Sequence, residues 1–183
     1  AFVAFNPAIP DKNISTLTQY ASNGNVVTTT QYLGISSLGR KTFTQYDTLN
    51  RPITVTTNYV GAGTFDPAKP DRNISTVTQY DINGNVITTT HYVSIAGLER
   101  KTFTQYDALN RPITLTTNYT GTGMFDSTQP DQNIRAVTQY DALGNVVTTT
   151  QFANVTGLAR TSFTQYDALN RPITLTTNYT GTG

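Results

Sequence analysis

Cysteine is absent from the 183 residues, so neither a disulfide framework nor a thiolate metal site is available. Charge is scarce, at 13%, and balanced, with 12 basic and 11 acidic side chains scattered evenly for a net charge of +1. No basic stripe exists, which argues against nucleic acid as a partner. No apolar run approaches the length of a membrane-spanning helix. The opening Ala1-Phe2-Val3-Ala4-Phe5 is too short for a signal peptide and lacks a basic start, so the chain reads as mature or as cut from something longer. No stretch has useful helical periodicity. Hydrophobic residues make up 37%, low for a globular core.

Threonine, asparagine, glutamine and glycine fill the space these absences leave. Eleven tyrosines and eight phenylalanines separate the chain from a disordered tail. A Thr- and Tyr-rich, weakly charged composition points to β-structure.

The organising feature is repetition. The string FTQYDALNRPITLTTNYTGTG occupies residues 103–123 and again 163–183, with a near copy at 43–63. Phe5, Phe65 and Phe125 mark a period of 60 residues without insertion or deletion. Residues 1–4 form a preceding segment, and the units are 5–64, 65–124 and 125–183. Each unit carries the triplet Thr-Gln-Tyr twice, as at Thr78-Gln79-Tyr80 and Thr104-Gln105-Tyr106.

Each triplet closes a strand and opens a turn. Thr76–Tyr80 and Val86–Thr90 are β-branched and aromatic around Asp81-Ile82-Asn83-Gly84-Asn85, where Asn-Gly predicts a type I′-like turn. The second hairpin pairs Thr102–Tyr106 with Ile113–Thr117 around Asp107-Ala108-Leu109-Asn110-Arg111. Pro112 falls at a strand start, where its missing N–H is tolerated. Two hairpins per unit give about six in all, an all-β fold of tandem hairpins stacked as a solenoid-like or spiralling sheet. Ile14, Leu17, Val27, Leu38, Phe43, Ile53, Val55 and their copies are expected to fill a continuous narrow core.

Candidate sites follow the repeat. Asp47, Asp107 and Asp167 precede Arg51, Arg111 and Arg171 by four residues, a spacing suited to an Asx turn with an Asp–Arg pair. Tyr20, Tyr46, Tyr80, Tyr106, Tyr140 and Tyr166 form a ladder whose ordinary use is packing. His91 is the sole histidine, and Gln31 and Gln151 replace it elsewhere. Without a nucleophile and orienter beside it, it makes no catalytic triad. Asp81–Asn85 faintly resembles the start of a calcium loop, but the ligand set is broken in the other units and no Glu follows at the required distance. The chain therefore reads as non-enzymatic, with no cofactor or metal. Asn13, Asn73, Asn118, Asn154 and Asn178 stand in Asn-x-Ser/Thr sequons and are candidate glycosylation sites.

Tyr46-Asp47-Thr48-Leu49-Asn50-Arg51, Tyr106-Asp107-Ala108-Leu109-Asn110-Arg111 and Tyr166-Asp167-Ala168-Leu169-Asn170-Arg171, flanked by Thr-rich strands, resemble the YD repeat of the Rhs/YD-repeat proteins. Tyr80–Asn85 and Tyr140–Asn145 are weaker copies, and Tyr20-Ala21 lacks the Asp. The family motif prefers Gly-Arg after Tyr-Asp-x-x; here one turn class has Asn-Arg and the other Gly-Asn. The resemblance implies long spiralling sheets of hairpins, as in shells around bacterial toxins and the teneurin barrel, often secreted or surface-attached, with enzymatic parts outside the repeats. Near-identical units propagate as a rod or helix. That favours a structural fibre or stalk at an extracellular or cell-surface location, whose partners are neighbouring repeats, identical chains or glycans. The alternatives are a wall segment of a toxin-enclosing shell and a carbohydrate-binding adhesin.

Overall fold

A computed structural model describes residues 15–32, 39–61, 68–92, 99–121, 126–152 and 159–179. Its secondary structure is entirely strand and turn over these residues. The twelve strands are β1 Ser15–Tyr20, β2 Val26–Tyr32, β3 Arg40–Tyr46, β4 Pro52–Thr57, β5 Ile74–Tyr80, β6 Val86–Tyr92, β7 Glu99–Tyr106, β8 Pro112–Thr117, β9 Ile134–Tyr140, β10 Val146–Phe152, β11 Ala159–Tyr166 and β12 Pro172–Thr177. They form one open sheet whose strand order follows the sequence. The fold is therefore all-β with antiparallel hairpin repeats. Strands recur every 60 residues, as Val26, Val86 and Val146 open β2, β6 and β10.

The chain divides into two compact units, Ala1–Thr78 with Thr90–Glu99, and Gln79–Thr89 with Arg100–Gly183. In the first, the register aligns Gln19, Thr28, Phe43, Thr56 and Ser75 in one row across five strands. In the second, Gln139, Thr148, Phe163 and Thr176 form the matching row. Every Tyr that closes a Thr-Gln-Tyr triplet in β1, β3, β7, β9 and β11 sits at a register shift. One extra residue opposite it starts the turn.

The expected aliphatic core is not there. No apolar side chain among the described residues is buried; the buried residues are Thr28, Thr56, Asn73, Thr88, Thr114, Thr116 and Asn133. Leu17 is exposed, while Val27, Phe43, Ile53 and Val55 are half-buried. Ile14 and Leu38 lie outside the described residues. The physical reason is the layer count. A single sheet has no second layer over its aliphatic side chains. The buried strand positions all go to threonine, a short side chain that drops below the surface beside a taller cross-strand neighbour. Thr28 and Thr56 flank Phe43 in this way, and the Phe43 ring stacks on Tyr59 at 4.8 Å. The same pair recurs as Phe103–Tyr119 and Phe163–Tyr179. Threonine suits the position because it is β-branched and its hydroxyl finds partners. Thr28 donates to Gln19 Oε1, and Thr56 Oγ1 lies 2.8 Å from Ser75 Oγ.

Candidate functional site

The repeated Tyr-Asp turns carry most of the polar organisation. In the turn between β3 and β4, Asn50 N donates to Asp47 O at 3.1 Å and Asp47 N donates to Arg51 O at 2.9 Å. Asn50 takes φ +61. This is a type I turn followed by a left-handed residue, the three-residue hairpin loop with a G1 bulge. Between β5 and β6, Gly84 N donates to Asp81 O, Asp81 N donates to Asn85 O, and Gly84 takes φ +88. Asn83 is not left-handed. The type I′-like expectation is thus corrected: only one residue per turn has positive φ, and it is the glycine. An extra loop residue lets a type I turn join the twisted strands, so a primed turn is not required.

The two turn classes are one turn. Its left-handed position holds Gly24, Gly84 and Gly144 in one class and Asn50, Asn110 and Asn170 in the other. Asn is the side chain that most readily shares this region with Gly. The next position holds a donor for the Asp carboxylate. Arg51 Nε reaches Asp47 Oδ2 at 2.7 Å, and Asn85 Nδ2 reaches Asp81 Oδ2 at 2.9 Å. Asp47 Oδ1 accepts Leu49 N and Arg51 N at 2.9 Å each, an Asx turn. Asp107 with Arg111 and Asp167 with Arg171 repeat this geometry. Ala21 supplies no carboxylate, and there Asn23 Oδ1 accepts Asn25 N instead.

These contacts hold the carboxyls below the ordinary value. The Arg51 and Arg111 backbone N–H groups are the main cause for Asp47 and Asp107, and the Arg171 side chain is for Asp167. The Asn85 and Asn145 side-chain amides are the main cause for Asp81 and Asp141.

Asparagines and tyrosines tie one turn to the next. Asn50 Oδ1 accepts from Asn23 Nδ2 and Asn25 Nδ2, both at 3.0 Å. Asn110 Oδ1 accepts from Asn83 and Asn85 in the same way, and Asn170 from Asn145. The Tyr46, Tyr106 and Tyr166 hydroxyls donate to the carbonyls of Val26, Val86 and Val146 at 2.8–2.9 Å. Tyr140 donates to Pro112 O, and its ring lies under the Arg111 guanidinium at 4.4 Å. These tyrosines use their hydroxyls as braces, while the ring stacks belong to the Phe–Tyr pairs.

A second clasp joins β4 to β5 and β8 to β9. Asn58 and Asn73 are left-handed, at φ +49 and +53. Asn73 N donates to Asn58 O, Asn73 Oδ1 accepts Val60 N at 3.0 Å, and Asn58 Nδ2 donates to Asp71 O at 2.7 Å. Asn118 and Asn133 repeat the clasp, with Asn133 Oδ1 accepting Thr120 N at 2.9 Å. Two sequon asparagines are thereby engaged: Asn73 is 7% exposed, and the Asn118 amide is occupied by Asp131 O. Asn178 is exposed. Asn13 and Asn154 lie outside the described residues. Sequence reasoning missed this clasp as a structural device, although asparagine holds positions 13, 73 and 133 while the residue before it changes from Lys to Arg to Gln.

His91 is exposed and its Nδ1 lies 2.9 Å from Thr76 Oγ1. In the first unit a polar recess of about 440 Å³ is lined by Thr16, Thr29, Gln31, Arg40, Thr42 and Asn58, among others. No helix of the described residues is long and apolar enough to cross a membrane.

No family model matches the chain, and no curated protein matches it. Solved structures do. A chain in the crystal structure of TcdB2–TccC3–Cdc42 matches over 87% of this chain at 17% identity with a TM-score of 0.60. A chain of TcdB2–TccC3 without its hypervariable C-terminal region matches over 86% at 15% identity with a TM-score of 0.51. The Photorhabdus luminescens Tc holotoxin pore with the TccC3 mutation D651A matches at 9% identity and a TM-score of 0.43, below what a shared fold requires. This chain spans 8% and 9% of the first two matched chains. Its hairpin sheet is similar in fold to a short stretch of the TcdB2–TccC3 chains.

Proposed function

We propose that this chain is a non-enzymatic wall segment of a hollow shell of the Rhs type, part of a larger secreted or surface-exposed protein that encloses a cargo. The carrying observation is the fold likeness to a stretch of a TcdB2–TccC3 chain over 87% of this chain. It is a fold-level analogy, supported by the Tyr-Asp turns that recur in phase along the sheet. In this reading the segment's partners are neighbouring repeats, and its work is done by backbone ladders and turn braces. The three repeat units, 5–64, 65–124 and 125–183, are successive steps of the wall.

A second reading is a fibre or stalk, favoured by the letter-for-letter identity of residues 103–123 and 163–183. Equal steps repeat one rotation and propagate as a rod or helix unless that rotation closes a ring, whereas a cage closed at its ends needs its curvature to vary. The adhesin reading has less support, because the Tyr hydroxyls and Asp carboxylates that would meet sugars are engaged within the chain. Electron microscopy of the intact protein tests the choice. Closed hollow particles are expected; filaments with an axial repeat of one or a few units would overturn the shell and install the fibre.

A further inference from the structure

Asn23 and Asn83 are the chain's asparagines that a glycine follows; every other asparagine precedes proline, arginine, tyrosine or a β-branched residue. Glycine leaves its own backbone nitrogen without a side chain to shield it. Asn-Gly is therefore the pair in which that nitrogen most easily reaches the carbonyl carbon of the asparagine side chain. Both pairs are exposed, at the tips of the β1–β2 and β5–β6 turns. The equivalent turn between β9 and β10 has Leu143 before Gly144, a natural copy without the reactive amide.

The closed turn keeps the reacting atoms apart. Gly84 N donates to Asp81 O at 3.1 Å, and Gly24 N donates to Ala21 O at 3.0 Å. Each asparagine is the third residue of a type I turn, where ψ is about 0°. A ring closes only when the glycine nitrogen swings round to face the asparagine Cγ, far from that ψ. The side chains are tethered as well. Asn23 Nδ2 donates to Asn50 Oδ1 at 3.0 Å, and Asn83 Nδ2 donates to Asn110 Oδ1 at 3.1 Å.

We infer that Asn23 and Asn83 are self-modification sites, and that the asparagine of the next hairpin holds each turn closed against the reaction. In an opened turn the Gly84 nitrogen bonds to Asn83 Cγ and the Cγ–Nδ2 bond breaks. The glycine N–H proton leaves with the amide as ammonia. Water then adds to one carbonyl of the cyclic imide and opens it, to aspartate or isoaspartate at position 83. Either product puts a carboxylate where an amide donor faced Asn110 Oδ1, so acceptor meets acceptor and the tie is lost. Isoaspartate also adds a carbon to a loop fitted to the bond from Asp81 N to Asn85 O. The change is one-way and loosens one hairpin from the next, in a shell or a fibre alike.

Long warm incubation in mildly alkaline heavy-oxygen water, followed by peptide mapping by mass spectrometry, tests this, because imide opening writes the heavy oxygen into the product. Product is expected at positions 23 and 83, formed about 10-fold more slowly in the folded chain than in the same chain in urea, since the reaction waits on local opening. Asn110→Gly keeps the left-handed position and removes the acceptor. It is expected to speed position 83 about 3-fold, by easier opening, and to leave position 23 unchanged. Asn50→Gly should do the reverse, and Asn110→Asp, which retains an acceptor, should keep the parent rate at 83. Equal rates in the folded and unfolded chain, product spread over the other asparagines, or Asn110→Gly acting on both positions alike or on neither would overturn the inference.

Discussion

Gly144→Ala isolates the cost of the left-handed turn position. Gly144 closes the loop between β9 and β10 at φ +90. A Cβ built there meets only Arg111 Nη1, at 3.8 Å, an ordinary contact with a flexible side chain. No steric term therefore enters, and the backbone sets the magnitude. Holding an L-residue in this region costs about 1–2 kcal/mol. Alanine also restricts the unfolded chain, which returns about 0.4–1 kcal/mol. The net is about 1 kcal/mol, or a fall in Tm of roughly 2–4 °C for a domain of this size. Gly144→Asn should stay within about 0.5 kcal/mol of the parent, since Asn50, Asn110 and Asn170 fill the same position natively. Urea unfolding followed by circular dichroism reads the loss, and hydrogen exchange at Tyr140 and Val146 localises it. The reasoning fails if alanine costs nothing, if asparagine costs as much as alanine, or if the loss exceeds about 3 kcal/mol, a size that demands a clash or a broken network.

Three more perturbations probe the polar interior. Thr56→Val should cost about 1 kcal/mol by leaving Ser75 Oγ without this partner, while Thr56→Val with Ser75→Ala should be near neutral, because both partners are then removed; a urea double-mutant cycle measures the difference. Asn133→Ala removes a bond to Thr120 N and puts alanine at φ +53, so a loss of about 2 kcal/mol is expected in the same assay. The turn carboxyls titrate below their unfolded value of 3.8. Their stabilisation is therefore complete above that value and is lost as pH falls through the depressed folded values. The urea midpoint should be flat on the neutral side and drop only in the acid range; a midpoint that rises on acidification would contradict the turn geometry.

The strands were largely legible. Thr76–Tyr80 and Val86–Thr90 lie within β5 and β6, and Pro112 opens β8, because alternating β-branched residues between turn clusters leave few other backbone choices. The turn positions were legible too, but their conformation was not. Asn83-Gly84 has the letters of a two-residue primed turn, and only the bond from Asp81 N to Asn85 O, with Gly84 alone left-handed, decides for the longer loop. The core was misread for a reason of architecture. Counting Ile53 and Val55 as core assumes a second layer to cover them, and this single sheet gives the buried positions to Thr28, Thr56 and Thr116 instead. The clasp of Asn58 with Asn73 was hidden because a left-handed asparagine looks in sequence like any loop asparagine. Its signal was internal: Asn58, Asn118 and Asn178 never change between units while Val60 becomes Thr120.

The central claim is that one turn, written with glycine in one hairpin and asparagine in the next, closes the six hairpins of the described sheet. Backbone NMR of the chain tests it most directly, through the φ-dependent couplings and shifts of the turn residues. The account predicts positive φ at Gly24, Asn50, Gly84, Asn110, Gly144 and Asn170, with Asn23 and Asn83 on the ordinary side. Positive φ at Asn23 and Asn83, or negative φ at Asn50, Asn110 and Asn170, would mean two different turns and would contradict it.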